Sequence, residues 1–375
     1  MNKKIKLLSG FVKEGSAEFN RLLAYAHGLA YHGWNVEIVS FRVMEIEHEF
    51  EGVNIRGLWI TKIGCKYLRY PLSYVCLIFY LLFSIKKDEE LLLYSNGEYL
   101  PIFIFFRKGN VWHEMTESPE IIGRQCNNLR YYYKCCTKIR GVFVISRPLK
   151  ELYIANGVHP DKIQIINMIA DSNRFDGITK TEEDVKYIGY CGNVYSDEKD
   201  GVSDLLRIFA EYHRSYQDRY LYIVGKIVSE KQKRKYEDYL ITNNLSKYVR
   251  FCGMISPKDI PKFLSNAEML MLTRPDNKQA LYGFPTKLGE YLLSKRPVIV
   301  SNVGDIGVYL SDKHNALVVP PGNDAEFVMR MKWVSDNPNA ANELGIKGRE
   351  CALANFNNIK ETAKIVKSVN SFRIK

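Results

Sequence analysis

Short apolar runs alternate along most of the chain with longer stretches in which apolar residues recur every three or four positions. This is the pattern of strands and helices joined in βα units around a parallel sheet. In the first half the runs Ile5–Ser9, Val36–Phe41, Leu91–Tyr94, Val111–His113, Val142–Ile145 and Ile163–Ile166 predict strands. Between the first two, Leu22, Leu23, Ala26, Leu29 and Ala30 share one face of a helix over Ala17–Tyr31, and Gly33 supplies a stop. A polar, acidic stretch from Asp171 to Asp184 breaks the alternation, which restarts at Val185–Tyr190. Leu221–Val224, Val249–Cys252, Met269–Leu272, Pro297–Ser301 and Leu317–Val319 are the strands expected downstream. The expected fold class is therefore α/β, with two doubly wound domains, 1–172 and 173–356, and a ligand in a cleft at the carboxyl ends of their sheets.

The 375 residues suit two domains at roughly 100 to 200 residues each. With 46% hydrophobic and 25% charged residues, the composition is that of a folded chain rather than a disordered one. Fifty-three Lys and Arg against 42 Asp and Glu leave a net charge of +11, which favours nucleic acid, an acidic membrane surface or phosphorylated substrates. Cys65, Cys76, Cys126, Cys135, Cys136, Cys191, Cys252 and Cys351 form no Cys-x-x-Cys and no zinc-type grouping. They are read as reduced, mostly buried thiols of a cytoplasmic protein. The N-terminal apolar stretch is too short for a signal peptide, and the run Leu72–Ile85 falls short of the roughly 20 residues of a spanning helix. That run reads instead as a buried or membrane-facing helix. Neither a P-loop nor a Gly-x-Ser-x-Gly elbow occurs, which argues against a P-loop NTPase and an elbow-type hydrolase.

The segment Gly283-Phe-Pro-Thr-Lys-Leu-Gly-Glu290 reads as a Gly/Pro loop entering a helix, with a buried strand after it. A helix starting near Pro285 would point its free N–H groups and positive dipole end at a phosphate. Glu290, more than a turn in, could accept hydrogen bonds from a ribose diol; taken alone, the segment reads better as an ordinary capped helix with a solvated Glu, and its context reverses that order. Its neighbours add Glu14-Gly15-Ser16-Ala17-Glu18-Phe19-Asn20-Arg21 and His27 to Val36 in the first half. In the second half come Gly189-Tyr-Cys-Gly-Asn193, Lys199-Asp-Gly-Val202, Val224-Gly225-Lys226, Pro297 to Gly304 and Asn315 to Asp324. In this order and spacing, from Lys4 to about Ala352, the set resembles the retaining glycosyltransferases of family 4, the group 1 glycosyltransferases of GT-B fold.

The resemblance implies that the first domain binds the acceptor, the second binds a nucleotide sugar, and a last helix within 357–375 packs back on the first domain. It puts Glu290 on the second Glu of the family's Glu-seven residues-Glu motif, the ribose ligand, and Tyr282 on the first, which normally touches or positions the sugar. Either the Gly283, Phe284, Pro285 and Thr286 backbone takes over the sugar contacts, or the protein belongs to a branch that handles the sugar differently. The family's Lys for the departing diphosphate falls on Lys199 and its Arg on Asn193. Arg274 or Lys287, bordering the donor loop, could supply the missing charge, although a surface salt bridge is an equal reading for Arg274. Fixed cations there lower the barrier because negative charge grows on the diphosphate as the glycosidic bond breaks. Gly15, in the turn before the first helix, would bring backbone N–H groups near donor phosphate and acceptor, with Ser16 beside it on the acceptor side. His113 falls where the family often carries a His that contacts the donor sugar; a structural strand-end His is the other reading.

No Asp-x-Asp clamp occurs, so neither a metal nor another cofactor is expected. By resemblance the anomeric configuration is retained, with the leaving diphosphate accepting the acceptor's proton. The acceptor would be a free or lipid-linked saccharide in bacterial capsule, lipopolysaccharide or other surface polysaccharide synthesis. The alternatives are a sugar-nucleotide epimerase of similar fold, or a catalytically weak sugar- or nucleotide-binding partner subunit, which the departures at Tyr282 and Asn193 favour. The stretch Ile121–Lys150 carries seven cations, Arg130, Lys134 and Lys138 among them, no Asp or Glu, and three consecutive tyrosines from Tyr131. With no nucleic-acid module recognised, it is read as docking on the anionic inner face of the cytoplasmic membrane, the alternative being a solvated basic face. Successive helical residues turn by about 100°, so at least one of the tyrosines should be exposed.

Overall fold

The computed structural model describes residues 3–107, 110–121, 128–179, 181 and 185–373. They form two units, one of 1–169 with 358–375 and one of 170–357. The expected boundary after 172 lies slightly beyond the observed division.

The sheet of the first unit is built from β1 (Lys4–Lys13), β2 (Asn35–Glu45), β3 (Glu49–Phe50), β4 (Val53–Gly57), β5 (Glu90–Tyr94), β6 (Val111–Met115), β7 (Gly141–Val144) and β8 (Ile163–Ile165). Their order is β3-β4-β2-β1-β5-β6-β7-β8, parallel except where β3 runs against β4. Every residue of β5, β6 and β7 is buried, as expected of strands covered on both faces. That hairpin was not anticipated, because β3 is a two-residue, largely polar strand; its turn is made by Glu51 and Gly52 at φ 49° and 76°.

Helix α1 (Ala17–Tyr31) follows β1 and begins at Ser16, whose hydroxyl accepts from the Phe19 N–H at 3.1 Å. The C-terminal helix Asn358–Arg373 packs against it. The two approach at Gly28, where a Cβ would stand 2.4 Å from Thr362 Oγ1 and 2.7 Å from the Asn358 carbonyl oxygen. Glu361 of the same helix accepts from the Asn167 N–H at 2.8 Å, fixing it to the chain just past β8. The helices α2 (Lys66–Phe83), α3 (Leu100–Arg107) and α4 (Leu129–Lys138) lie in succession, α2 against α3 and α3 against α4.

The second unit holds β9 (Lys186–Cys191), β10 (Arg219–Val224), β11 (Val249–Gly253), β12 (Met269–Leu272), β13 (Val298–Ser301) and β14 (Leu317–Val319), all parallel. Their order is β11-β10-β9-β12-β13-β14. From β9 the chain adds β10 and β11 on one side and then β12, β13 and β14 on the other, so the crevice for a ligand opens at the carboxyl ends of β9 and β12.

Gly28→Ala should destabilise the protein by about 1–3 kcal/mol, because the added methyl has no room between α1 and the C-terminal helix. Urea unfolding checks this; an unchanged midpoint would mean that the C-terminal helix yields without cost.

Candidate functional site

The predicted residues of the second unit gather around the carboxyl ends of β9 and β12. The helix Lys287–Leu293 is held against the end of β9 by two side chains. Tyr291 Oη accepts from the Cys191 N–H at 2.6 Å and donates to its carbonyl at 3.2 Å. Lys287 Nζ is hydrogen-bonded to the Tyr190 hydroxyl and sits 4.3 Å from the centre of that ring. Its stem crosses Gly192, whose φ is 152° and whose Cβ, if present, would lie 2.4 Å from Lys287 Cε. Only glycine fits there. Burial pushes the Cys191 thiol up to about 12, so it is protonated and inert at neutral pH.

Glu290, on the same helix, makes an ion pair with Arg174, and Arg174 also donates to the Pro257 carbonyl at 2.9 Å. Both side chains are about a quarter exposed. The sequence reading missed Arg174: it stands in the polar linker, 116 residues from its partner, and no local pattern marks such a pair. The helix begins at Lys287, two residues later than the Pro285 start expected, because Gly283 to Thr286 are still loop. Glu290 therefore lies in the first turn rather than beyond it. Tyr282 ends the preceding short helix Lys278–Tyr282. Gly283 and Pro285 are buried and Thr286 is exposed. The Phe284 ring is also buried, against Tyr309 and Phe356, which leaves this residue only its backbone for a ligand.

Lys199 belongs to a tightly anchored turn. Ser196 caps the one-turn helix Asp197–Asp200 by accepting from the Lys199 N–H at 3.2 Å. Burial works against the charge on Asp197, but hydrogen bonds from Tyr236, Ser203 and Lys235 overcome it and hold the carboxyl near 2. On the other side Asn277 donates to the Glu198 carbonyl at 2.6 Å, and Thr273 Oγ1 donates to that of Gly201 at 2.8 Å. The loops after β9 and β12 are thus tied together, and Lys199 projects from them with its Nζ 5.4 Å from the Tyr195 ring centre.

Asn193 is a bracket: its Oδ1 accepts from the Lys226 N–H at 2.9 Å, linking the loops after β9 and β10. It holds the scaffold where the resemblance would have a cation. Arg274 is only 7% exposed, so the reading as a surface salt bridge is wrong; following directly on the loop anchor Thr273, it is carried inward with the end of β12.

In the first unit Gly15 takes the turn expected of it, at φ 73°. The Ser16 hydroxyl, besides capping α1, donates to the Lys13 carbonyl at 2.8 Å. His113 does not end its strand. β6 continues to Met115, so the imidazole is fully buried in mid-strand, bonded to the Leu93 carbonyl at 3.0 Å and the Tyr132 hydroxyl at 2.9 Å. It is a core residue, and the sugar contact expected of it is withdrawn. Next to it, the fully buried Glu114 accepts from Arg21 Nε at 2.8 Å and from the Tyr25 hydroxyl, while Arg21 also donates to the carbonyls of Ile166 and Asn167 at 3.0 Å.

Of the basic stretch, residues 122–127, with Arg124, lie outside the described residues. Arg130, Lys134 and Lys138 are exposed and recur every four residues along α4, with Tyr131 half exposed beside them and Tyr132 and Tyr133 buried. Arg140 is not part of that face, since it pairs with the buried Glu90 at 2.8 Å.

Residues 185–337 match the family model of the group 1 glycosyl transferases. Every predicted second-unit site residue falls within that span. Among solved structures, HepE (Alr3699) of Anabaena in complex with UDP and glucose is similar at a TM-score of 0.77 and 16% identity, over 99% of this chain and 100% of that one. Sucrose-phosphate synthase from Thermosynechococcus elongatus is similar at 0.77 and 17%, over the full length of both. The fold is GT-B. The lipopolysaccharide outer core galactosyltransferase WaaB, in its apo form, is similar at 0.67 and 16%, over 98% of this chain and 99% of that one. No curated protein sequence matches the chain. At these identities the likeness to the solved structures is one of fold.

Burial lowers the His113 pKa to about 4, against 6.5 in the unfolded chain. Between those values the unfolded state binds more protons, so the contribution of a neutral His113 is complete above pH 6.5 and is lost as pH falls toward 4. Glu18, raised to about 7 by burial, acts in the opposite direction, its contribution being lost as pH rises from 4.5 to 7. Comparison with His113→Gln isolates the histidine: the wild type should lose about 2–3 kcal/mol more than the variant between pH 7 and pH 4 in urea unfolding. Parallel pH profiles would show that the ring protonates freely.

Proposed function

We propose that this protein is a retaining glycosyltransferase that moves a hexosyl group from a nucleoside diphosphate sugar to a saccharide acceptor. The carrying observation is the convergence of Glu290 with Arg174, Lys287 and Lys199 on the β9/β12 switch point, within the residues that match the group 1 model. In this reading Glu290, oriented by Arg174, accepts hydrogen bonds from the donor ribose. Lys199 and Lys287 face the diphosphate, and Tyr282 with the Gly283 to Thr286 backbone borders the sugar. The bond from the anomeric carbon to the diphosphate breaks and one to the acceptor oxygen forms on the same face. The acceptor's proton passes to the departing diphosphate. Fixed cations held by anchored loops suit this chemistry because they need no reorganisation as charge develops.

The acceptor in this reading is a lipid-linked saccharide of bacterial surface polysaccharide synthesis, which the likeness in fold to WaaB supports, and the enzyme works peripherally at the inner face of the cytoplasmic membrane. The diphosphate is neutralised by lysines, so turnover should survive a chelator; a complete loss that added metal restores would overturn this part. UDP-glucose, held by HepE in a further structure, is the first donor to try.

Glu290→Ala should weaken nucleotide binding by about ten- to a hundredfold, the loss of a charge-assisted hydrogen bond. Calorimetry on the folded variant decides, and an unchanged affinity would remove Glu290 from the ribose site. Lys199→Ala should lower turnover more than donor affinity, since its attraction strengthens in the transition state. Equal losses, or none, would return Lys199 to a scaffold role. A lengthened acceptor among the products separates transfer from epimerisation, and acceptor-independent binding without turnover would mark a binding subunit.

A further inference from the structure

Helix α2 is apolar nearly all the way round, which in a water-soluble setting predicts burial on every side. It is buried on one side only. Ser73, Cys76, Leu77, Tyr80 and Leu81 face the core, whereas Leu68, Val75, Phe79, Leu82 and Phe83 form a second stripe at helical spacing that is exposed. Phe83 is 78% exposed, and the Phe79 and Phe83 rings stack on each other at 6.0 Å. On the adjoining α3, Phe105 is 82% exposed. Single exposed apolar residues are ordinary, but a continuous aromatic and aliphatic face marks a contact with something apolar.

Charge identifies the partner. None of α2, α3 and α4 contains a single Asp or Glu, although the chain as a whole has 42. The exposed cations of α4, at Arg130, Lys134 and Lys138, adjoin this face through α3. An apolar face bordered by cations without carboxylates is complementary to a surface of hydrocarbon beneath anionic headgroups. No helix among the described residues is long and apolar enough to cross a membrane, so such a helix would lie in the surface rather than span it.

We propose that α2 and α3 form a wedge inserted into the interfacial layer of an anionic bilayer, with the α4 cations beside it among the headgroups. This rests on the membrane reading of the proposed function and adds to it the inserted element and a hydrophobic component of binding. Docking through α4 alone would be reversed by salt; the wedge leaves a salt-resistant part, because screening acts on charges and not on buried area.

The test uses the full chain and vesicles of phosphatidylglycerol with phosphatidylcholine, or phosphatidylcholine alone. In Phe83→Trp, brominated acyl chains should quench the new fluorescence, whereas a tryptophan placed at the exposed Ile241 of the second unit should not be quenched. Phe79→Ser with Phe83→Ser, whose exposed positions leave the core intact, should lose the salt-resistant binding, on the order of a hundredfold. Arg130, Lys134 and Lys138 changed together to Ser should lose only the salt-sensitive part. Acidic-vesicle binding that salt reverses fully, with no quenching at Phe83→Trp, would overturn the wedge and leave electrostatic docking standing. No binding to any vesicle would overturn both. A concentration-dependent dimer abolished by the double Ser variant, without vesicle binding, would assign the face to a second copy of the chain.

Discussion

The hydroxyl of Tyr291 closes a hydrogen-bonded clasp on both polar groups of Cys191, and the candidate donor site depends on it. The strand end and the helix are joined at one residue, so the helix cannot slide or roll without breaking two bonds to a buried backbone. Glu290 is the neighbour of Tyr291, and Lys287 lies one turn earlier; their positions follow from that clasp. Gly192, which Lys287 passes closely, has a φ of 152° that strains any other residue, and Gly225 is pressed in turn against the Gly192 carbonyl, where a Cβ would lie 2.3 Å from the oxygen. Geometry of this kind is what places charge at a fixed distance from a developing anion.

The first unit solves a different problem. Arg21 and Glu114 are both buried, at 3% and 0% exposure, and burying such a pair costs several kcal/mol in lost hydration unless the remaining polar atoms are met. Arg21 meets this by donating to two backbone carbonyls at the end of β8, whereas Glu114 meets it at one oxygen only: Oε1 accepts from Arg21 and from Tyr25, and Oε2 is buried without a hydrogen-bond partner. The pair therefore joins α1, β6 and the end of β8, and removing either partner alone would strand a charge in the core. Burial raises the Glu114 carboxyl, and the adjacent guanidinium and the Tyr25 hydroxyl oppose that.

The strands of both sheets were legible because a strand covered on both faces needs a continuous apolar run, and such runs are visible without any partner. Their ends were less so. β6 continues through His113 and Glu114, a polar pair that reads as the end of a strand until Tyr132, Arg21 and Tyr25 are seen to receive it. Lys199 and Glu290 stand out in the sequence because order and spacing along the chain carry a resemblance. Arg174 does not, since its importance lies in a contact across more than a hundred residues. The exposed face of α2 was hidden for the opposite reason: sequence shows that a segment is apolar, not which side of it the fold leaves uncovered.

The division of the chain has a consequence for biosynthesis. The first unit takes its last helix from residues 358–373, after the whole of the second unit. At about 5–20 residues per second, a ribosome needs roughly ten to forty seconds to make the intervening stretch. During that interval the face of α1 around Gly28 has no helix to cover it, while the second unit, continuous in sequence, can close as soon as it emerges. The protein thus completes its folding in reverse order, the unit begun first being the one finished last.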